Sequence, residues 1–239
     1  MPSYTLYLAS SSPRRRELLS RAGIQFVQHV MPVDEDRLSE EYTGPLETLG
    51  EYLARRKAIA AYDDLRSRGI SGYVLASDTT VLLDGRSLAK PHDADEAVTM
   101  LMTLRGREHV VATGVAVAGP EPDAITSATA ATRVTMRNYS DEEIARYVAT
   151  GDPFDKAGAY SIQHPDFQPV QAFKGCHTGV IGLPLCVVKW LLSGTPSLQT
   201  TSGDLESGMR CVWSTQCRQP FPPEAYGSGV EWAIEECAD

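Results

Sequence analysis

The chain has 239 residues, a formal charge of -9, and 42% hydrophobic against 22% charged residues; its pI is about 5.1 and its mean hydropathy -0.22. That profile belongs to a globular protein of one substantial domain or two small lobes sharing a core, and the acidic balance excludes generic binding to nucleic acid or an anionic membrane. No apolar run reaches the ~20 residues of a membrane-spanning helix, and Met1–Ser10 lacks a basic, apolar leader, so the cytoplasm is the expected compartment.

Tyr4–Ala9 alternates and is rich in β-formers, which predicts a first strand. Ser12 then offers a helix N-cap with Pro13 at the first helical position, and Gly23 stops that helix. Ile24–Met31 reads as a second strand and the acidic stretch from Asp34 to Pro45 as a loop. Helical spacing runs from Leu46 to Arg68. Two short strands follow, Tyr73–Ala76 and Thr80–Leu83, then an Asp84-Gly85 hairpin turn and a return strand at Leu88–Lys90. Asp93 with Glu96, and Ser140 with Glu143, mark two capped helices; between them His109–Ala118 and Ala128–Met136 read as strands. Asp155–Gly182 is glycine-rich and irregular, and Leu183–Leu192 reads as a final helix. From Gly194 to Asp239 periodicity fades, which predicts a partly ordered or disordered extension after a domain of residues 1–193. All five cysteines lie beyond residue 175, which excludes a disulfide scaffold for the main body and leaves a metal or disulfide role for the tail cysteines open. The mixture of elements predicts an α/β fold with a mixed sheet.

Three features carry chemistry. Arg14, Arg15 and Arg16 crowd the first turn of a helix, the end where the dipole disfavours cations, directly after three serines. An anion at that spot resolves the conflict, because hydroxyls, backbone N–H groups and guanidinium forks all donate to phosphate oxygens; a solvated basic turn is the plainer alternative. Asp78 interrupts the apolar run around Ser77–Val81, where an ionised carboxylate needs a partner or a metal unless it only forms a turn. Glu35, Lys57, Lys90 and Lys156 are scattered acids and lysines, ordinary surface residues taken singly. Together they are what a metal-bound polyphosphate requires: carboxylates for the hard cation and ammonium groups for the remaining oxygens. Phosphate-loop and dinucleotide-binding fingerprints are absent from the chain.

Seven blocks then stand in one order: Leu8–Leu19, Leu53–Ala58, Ser77–Val81, Leu88–Pro91, Arg105–His109, Asp155–Gln163 and Val180–Leu185. On these blocks the chain resembles the Maf family of nucleoside triphosphate pyrophosphatases over roughly residues 4–193. The resemblance implies an elongated α/β fold similar to inosine triphosphate pyrophosphatases, with two lobes around a cleft and homodimers common. It implies release of pyrophosphate from a nucleoside triphosphate with Mg²⁺ or Mn²⁺. Residue by residue, Asp78 matches the proton acceptor, while Arg14, Thr79 and Gln163 match positions tied to substrate choice. Ser10, Lys57 and Lys90 match other cleft residues, with Arg15 beside Arg14 on the substrate side, and Glu35 joins Asp78 as a metal ligand. A carboxylate serves equally as proton acceptor or metal ligand, so the role of Asp78 stays open between the two.

Thr79 and the Lys156–Tyr160 segment ending in Gln163 resemble the branch that prefers dTTP and UTP, rather than the one that prefers 7-methyl-GTP. Two departures, His164-Pro165-Asp166 after Gln163 and His177 before Val180, lie near the expected base pocket. A nucleotide-binding regulator without turnover is the competing class, and the tail reads as either an interaction segment or a plain extension.

Overall fold

The computed structural model describes residues 4–121, 123–193 and 195. The expected extension, with Cys211, Cys217 and Cys237, lies outside the described residues except for Thr195.

Seven strands form one mixed sheet. They are β1 (Thr5–Leu8), β2 (Val27–Gln28), β3 (Gly72–Leu83), β4 (Arg86–Leu88), β5 (Glu108–Ala118), β6 (Ile125–Met136) and β7 (Val170–Lys174). Their order is β2-β1-β3-β5-β6-β7, with β4 also on β3. β1 runs parallel to β2 and β3; the other pairs are antiparallel. Seven α-helices flank the sheet among the described residues: α1 (Pro13–Arg21), α2 (Glu35–Glu41), α3 (Leu49–Ser67), α4 (Ala94–Leu104), α5 (Asp141–Ala149), α6 (His177–Ile181) and α7 (Leu185–Ser193). The expected α/β class with a mixed sheet is what the chain adopts. None of the described helices is long and apolar enough to cross a membrane.

Strand alternation sorts the core. On one face of β3, Tyr73 and Leu75 join α1 and α7, while Val81 and Leu83 join α4 and α5. On the other face, Val74 and Ala76 meet the alanine-rich side of α3. That helix lies close on the sheet at Gly114, where an added Cβ would fall 2.2 Å from Glu51 Cα.

Several expectations need correction. The two short strands around Asp78 are one strand, β3, paired along its length with β5 from Val74↔Ala118 to Leu82↔Val110. Backbone pairing carries it through the polar residues that looked like a break. The second strand shrinks to Val27–Gln28, and the return strand is Arg86–Leu88 rather than Leu88–Lys90. The acidic loop contains α2, capped by the Asp34 side chain on the Arg37 N–H. The irregular stretch before Gly182 holds β7, α6 and a 3₁₀ turn at Ala157–Ala159, just after a first one at Asp152–Asp155. Glu96 is no reciprocal capping partner: its carboxylate accepts the His92 backbone N–H, whereas Ser140 and Glu143 do form the full box.

Candidate active site

The site forms where the sheet has a gap. β1 stops pairing with β3 at Leu8↔Leu75, and the Ala9 N–H closes on the Leu75 carbonyl at 2.8 Å. β4 begins to pair only at Val81↔Leu88. Along that edge Ala76–Thr80 therefore has no neighbouring strand. A crevice opens there beyond the carboxyl end of β1, the position where open α/β sheets commonly bind ligands. The cleft has a volume of about 820 Å³.

All nine residues expected from the sequence line it. Ser10 comes from the turn between β1 and α1, Arg14 and Arg15 from the first turn of α1, and Glu35 from the first position of α2. Lys57 belongs to α3, and Asp78 and Thr79 to the unpaired edge of β3. Lys90 follows β4, and Gln163 follows the second 3₁₀ turn (Ala157–Ala159).

Asp78 points to the α3 face, where Lys57 Nζ bonds its Oδ1 at 2.5 Å and reaches Glu35 Oε2 at 2.8 Å. Lys57 and Asp78 each keep 13% of their side-chain surface exposed, so the pair is shielded yet open to the cleft. Thr79 points to the opposite face. The hydroxyl of Thr113 lies 2.8 Å from the Gly179 carbonyl and 3.0 Å from Thr79 Oγ1. The Thr113 hydroxyl is the donor in both contacts and shares its proton between the Gly179 carbonyl and Thr79 Oγ1. Thr79 keeps lone-pair capacity and its own proton for a group in the cleft.

The arginines divide their work. Arg15 donates to the Gly182 carbonyl at 2.9 Å and to Ser10 Oγ at 3.2 Å, and burial lowers its pKa from the ordinary guanidinium value. It ties α1 to the Gly182 turn and shapes the serine loop while lining the cleft. Arg14 reaches across to Asp155 Oδ2 at 2.9 Å. Ser12 caps α1 through the Arg15 N–H. The basic helix start expected to receive an anion thus lies beside Lys57 and Lys90 in a single cleft.

Sequence reasoning noticed Lys156 but not its surroundings. Its ammonium bonds Asp155 Oδ1 at 2.6 Å, Asp152 Oδ1 at 2.9 Å and the Asp152 carbonyl at 2.5 Å. Burial pushes the carboxyls of Asp152 and Asp155 up, but the hydrogen bonds they accept outweigh it and hold both below the usual carboxylate range. The only sequence signal was local: two acids within four residues of a lysine in a glycine-rich segment.

The residues at the gap fit the Mg²⁺ or Mn²⁺ that the resemblance implies. One ammonium touches an oxygen of both Glu35 and Asp78, so these carboxylates already converge on a positive charge. One or two carboxylates are what such an ion commonly takes from protein when water and phosphate supply its other oxygens. No group of three or more His, Cys, Asp or Glu able to hold a metal occurs among the described residues.

Fold and cleft together are those of an α/β protein whose candidate site gathers hydroxyl, guanidinium and ammonium donors around two carboxylates. Residues 5–195 match the family described as Maf-like protein, and the chain belongs to that family. It is 46% identical over 188 residues to a dTTP/UTP pyrophosphatase of Thermomicrobium roseum, covering 79% of this chain and 83% of the relative. Proteins of the same name from Burkholderia orbicola and Geotalea uraniireducens are 42% and 43% identical. Those matches each cover 77% of this chain, and 93% and 91% of the respective relatives.

Proposed function

We propose that the protein hydrolyses dTTP and UTP to the nucleoside monophosphate and pyrophosphate, with residues 1–193 as the catalytic domain. One observation carries the reading: residues scattered from Ser10 to Gln163, matched to the family one by one, all line a single cleft at the sheet gap. A nucleoside triphosphate substrate implies work in the cytoplasm.

In this reading the triphosphate lies against the start of α1, held by Arg14, Lys57 and Lys90. Lys57 occupies one oxygen of Asp78, which leaves Oδ2 to accept the proton of the attacking water. Lys57 and Arg14 balance the charge that builds on the departing pyrophosphate. Glu35 would hold the divalent cation, with Asp78 Oδ2 as its second ligand in the alternative where that oxygen does not take the proton; the cation's chemistry is to neutralise phosphate oxygens and polarise phosphorus. At the base end, the free lone pairs of Thr79 suit a pyrimidine N3–H, and the Gln163 amide offers a donor and an acceptor to the flanking carbonyls and N–H.

Pyrophosphate release from dTTP, UTP, CTP, GTP, ITP and 7-methyl-GTP, with Mg²⁺ or Mn²⁺, tests the proposal. Turnover confined to dTTP and UTP is expected. Turnover of a different nucleotide overturns the base assignment, and binding without release overturns the enzymatic one.

A further inference from the structure

Arg14 and Gln163 stand at the two ends of one unbroken path of polar contacts. Arg14 bonds Asp155, whose other oxygen accepts from Lys156. Lys156 also bonds Asp152 Oδ1. The second oxygen of Asp152 accepts the Tyr147 hydroxyl proton at 2.6 Å. The Tyr147 oxygen in turn accepts the Ser161 backbone N–H at 3.0 Å, and Ser161 Oγ accepts the Gln163 backbone N–H at 3.3 Å.

Two residues in the middle of this path are buried. Lys156 is 8% exposed and Tyr147 2%. The Tyr147 ring stacks on Phe167 at 4.4 Å and meets the edge of His164 at 4.8 Å. Neither Tyr147 nor Asp152 lines the cleft, so neither touches substrate in the reading above. Gln163 is the opposite case. Its side chain is exposed and makes no hydrogen bond to another described residue. Only its backbone fixes where the amide points. That turn closes on itself through the His164 N–H on the Ser161 carbonyl at 3.3 Å, and the Tyr147 hydroxyl anchors it to α5.

We infer that Tyr147, oriented by Asp152, is a positioning residue for base selection. Its hydroxyl donates to a carboxylate and accepts from a backbone N–H at once, and so locks the 161–163 turn to the framework that also holds Arg14. The inference rests on the dTTP/UTP reading of the cleft and extends it: selectivity depends on a residue that never meets the base. Removing the hydroxyl leaves the Ser161 N–H without its acceptor, and the turn relaxes while the stacked ring stays in place.

The test compares kcat/KM for UTP and CTP in wild type, Tyr147→Phe, Gln163→Ala and the double variant. CTP shares the sugar and ring size of UTP but reverses donor and acceptor at positions 3 and 4. Tyr147→Phe is expected to lower the UTP:CTP ratio about tenfold. In the double variant the ratio should fall no further than in Gln163→Ala alone, because both changes remove one function. A general structural role instead lowers kcat/KM for both nucleotides alike. An unchanged ratio in Tyr147→Phe, or losses that add in full, overturns the inference. Asp152→Asn, which weakens the same contact from the other side, should shift the ratio in the same direction, and it carries the test if Tyr147→Phe does not fold. A wild type that releases no pyrophosphate from any nucleotide overturns the dTTP/UTP reading instead, and the ratio is then read as binding affinities for the two nucleotides.

Discussion

Two of the lysines that border the cleft each lie between two carboxylates, yet these groups are built differently. Lys57 is held by Glu35 and Asp78, so three elements (α2, α3 and β3) meet to make that group. Lys156 is held by Asp152 and Asp155, within five residues of one loop. The second group is saturated: Tyr147 takes the spare oxygen of Asp152, Arg14 that of Asp155, and the Asp152 carbonyl also binds the ammonium. Among the described residues nothing takes the spare oxygens of Asp78 and Glu35. A saturated charge cluster fixes structure, whereas one with spare lone pairs at an open cleft is ready for a ligand. Two lysine–carboxylate groups of like chemistry thus divide, through their remaining partners, into a closed scaffold and a group open to a ligand.

The sharpest way to break this comparison is at Asp78. Asp78→Asn removes the proton acceptor while keeping shape, and is expected to lower kcat about 10³-fold, with the fold retained. Near-normal turnover would remove Asp78 from the proposed chemistry. Lys57→Met belongs with it and should cost about 10²-fold in kcat/KM.

Acid tests the scaffold side. His109 bonds the hydroxyl of Tyr160, which closes the Lys156 loop, at 2.8 Å. Burial pushes its pKa from 6.5 down to about 4. The unfolded chain takes up this proton as pH falls below about 6.5, but the folded protein does not until about 4. The stabilisation is therefore complete above pH 6.5 and is lost between there and pH 4. The shift corresponds to about 3 kcal/mol. Urea melts at pH 7 and pH 4.5 should show most of that loss, and His109→Gln should flatten it.

Lys156→Met should act oppositely to Lys57→Met, on stability before chemistry. It leaves two carboxylates facing each other without their shared cation. Asp155 is 59% exposed, and water relieves part of the penalty. About 2 kcal/mol is expected, read as a lower melting temperature. Equal melting temperatures for the two lysine variants would erase the division between the groups.

How much of this was legible depends on how local the signal is. Ser12 with Pro13, Ser140 with Glu143, and Asp84-Gly85 act through neighbours a few residues away, and the structure keeps all three. The continuity of β3 was hidden because Ser77–Thr80 is polar, and what holds it is pairing with β5, some 35 residues on. The α2 helix was hidden because Leu38 is its single buried apolar residue, leaving no stripe to read. Candidate site residues were legible as chemical types and by resemblance, but not their pairings. Nothing in the sequence announces that Lys57 joins Asp78 to Glu35, or that Tyr147, on the apolar face of α5, reaches the turn before Gln163.

The smallest expected effect separates the two groups most cleanly. Glu35 is 46% exposed, so its ion pair with Lys57 is largely solvated. Exposed pairs of this kind contribute at most about 1 kcal/mol, and Glu35→Gln should leave the melting temperature almost unchanged. If Glu35 serves the ligand rather than the fold, the same substitution still weakens Mn²⁺ binding in the presence of nucleotide, measurable by the loss of the free Mn²⁺ paramagnetic signal. A scaffold carboxylate would give the reverse pattern, a lower melting temperature with ion binding intact. Glu35 lines the cleft from the first position of α2 while half exposed, so in the proposed reading the carboxylate with less at stake in stability is also the one open to an incoming ion.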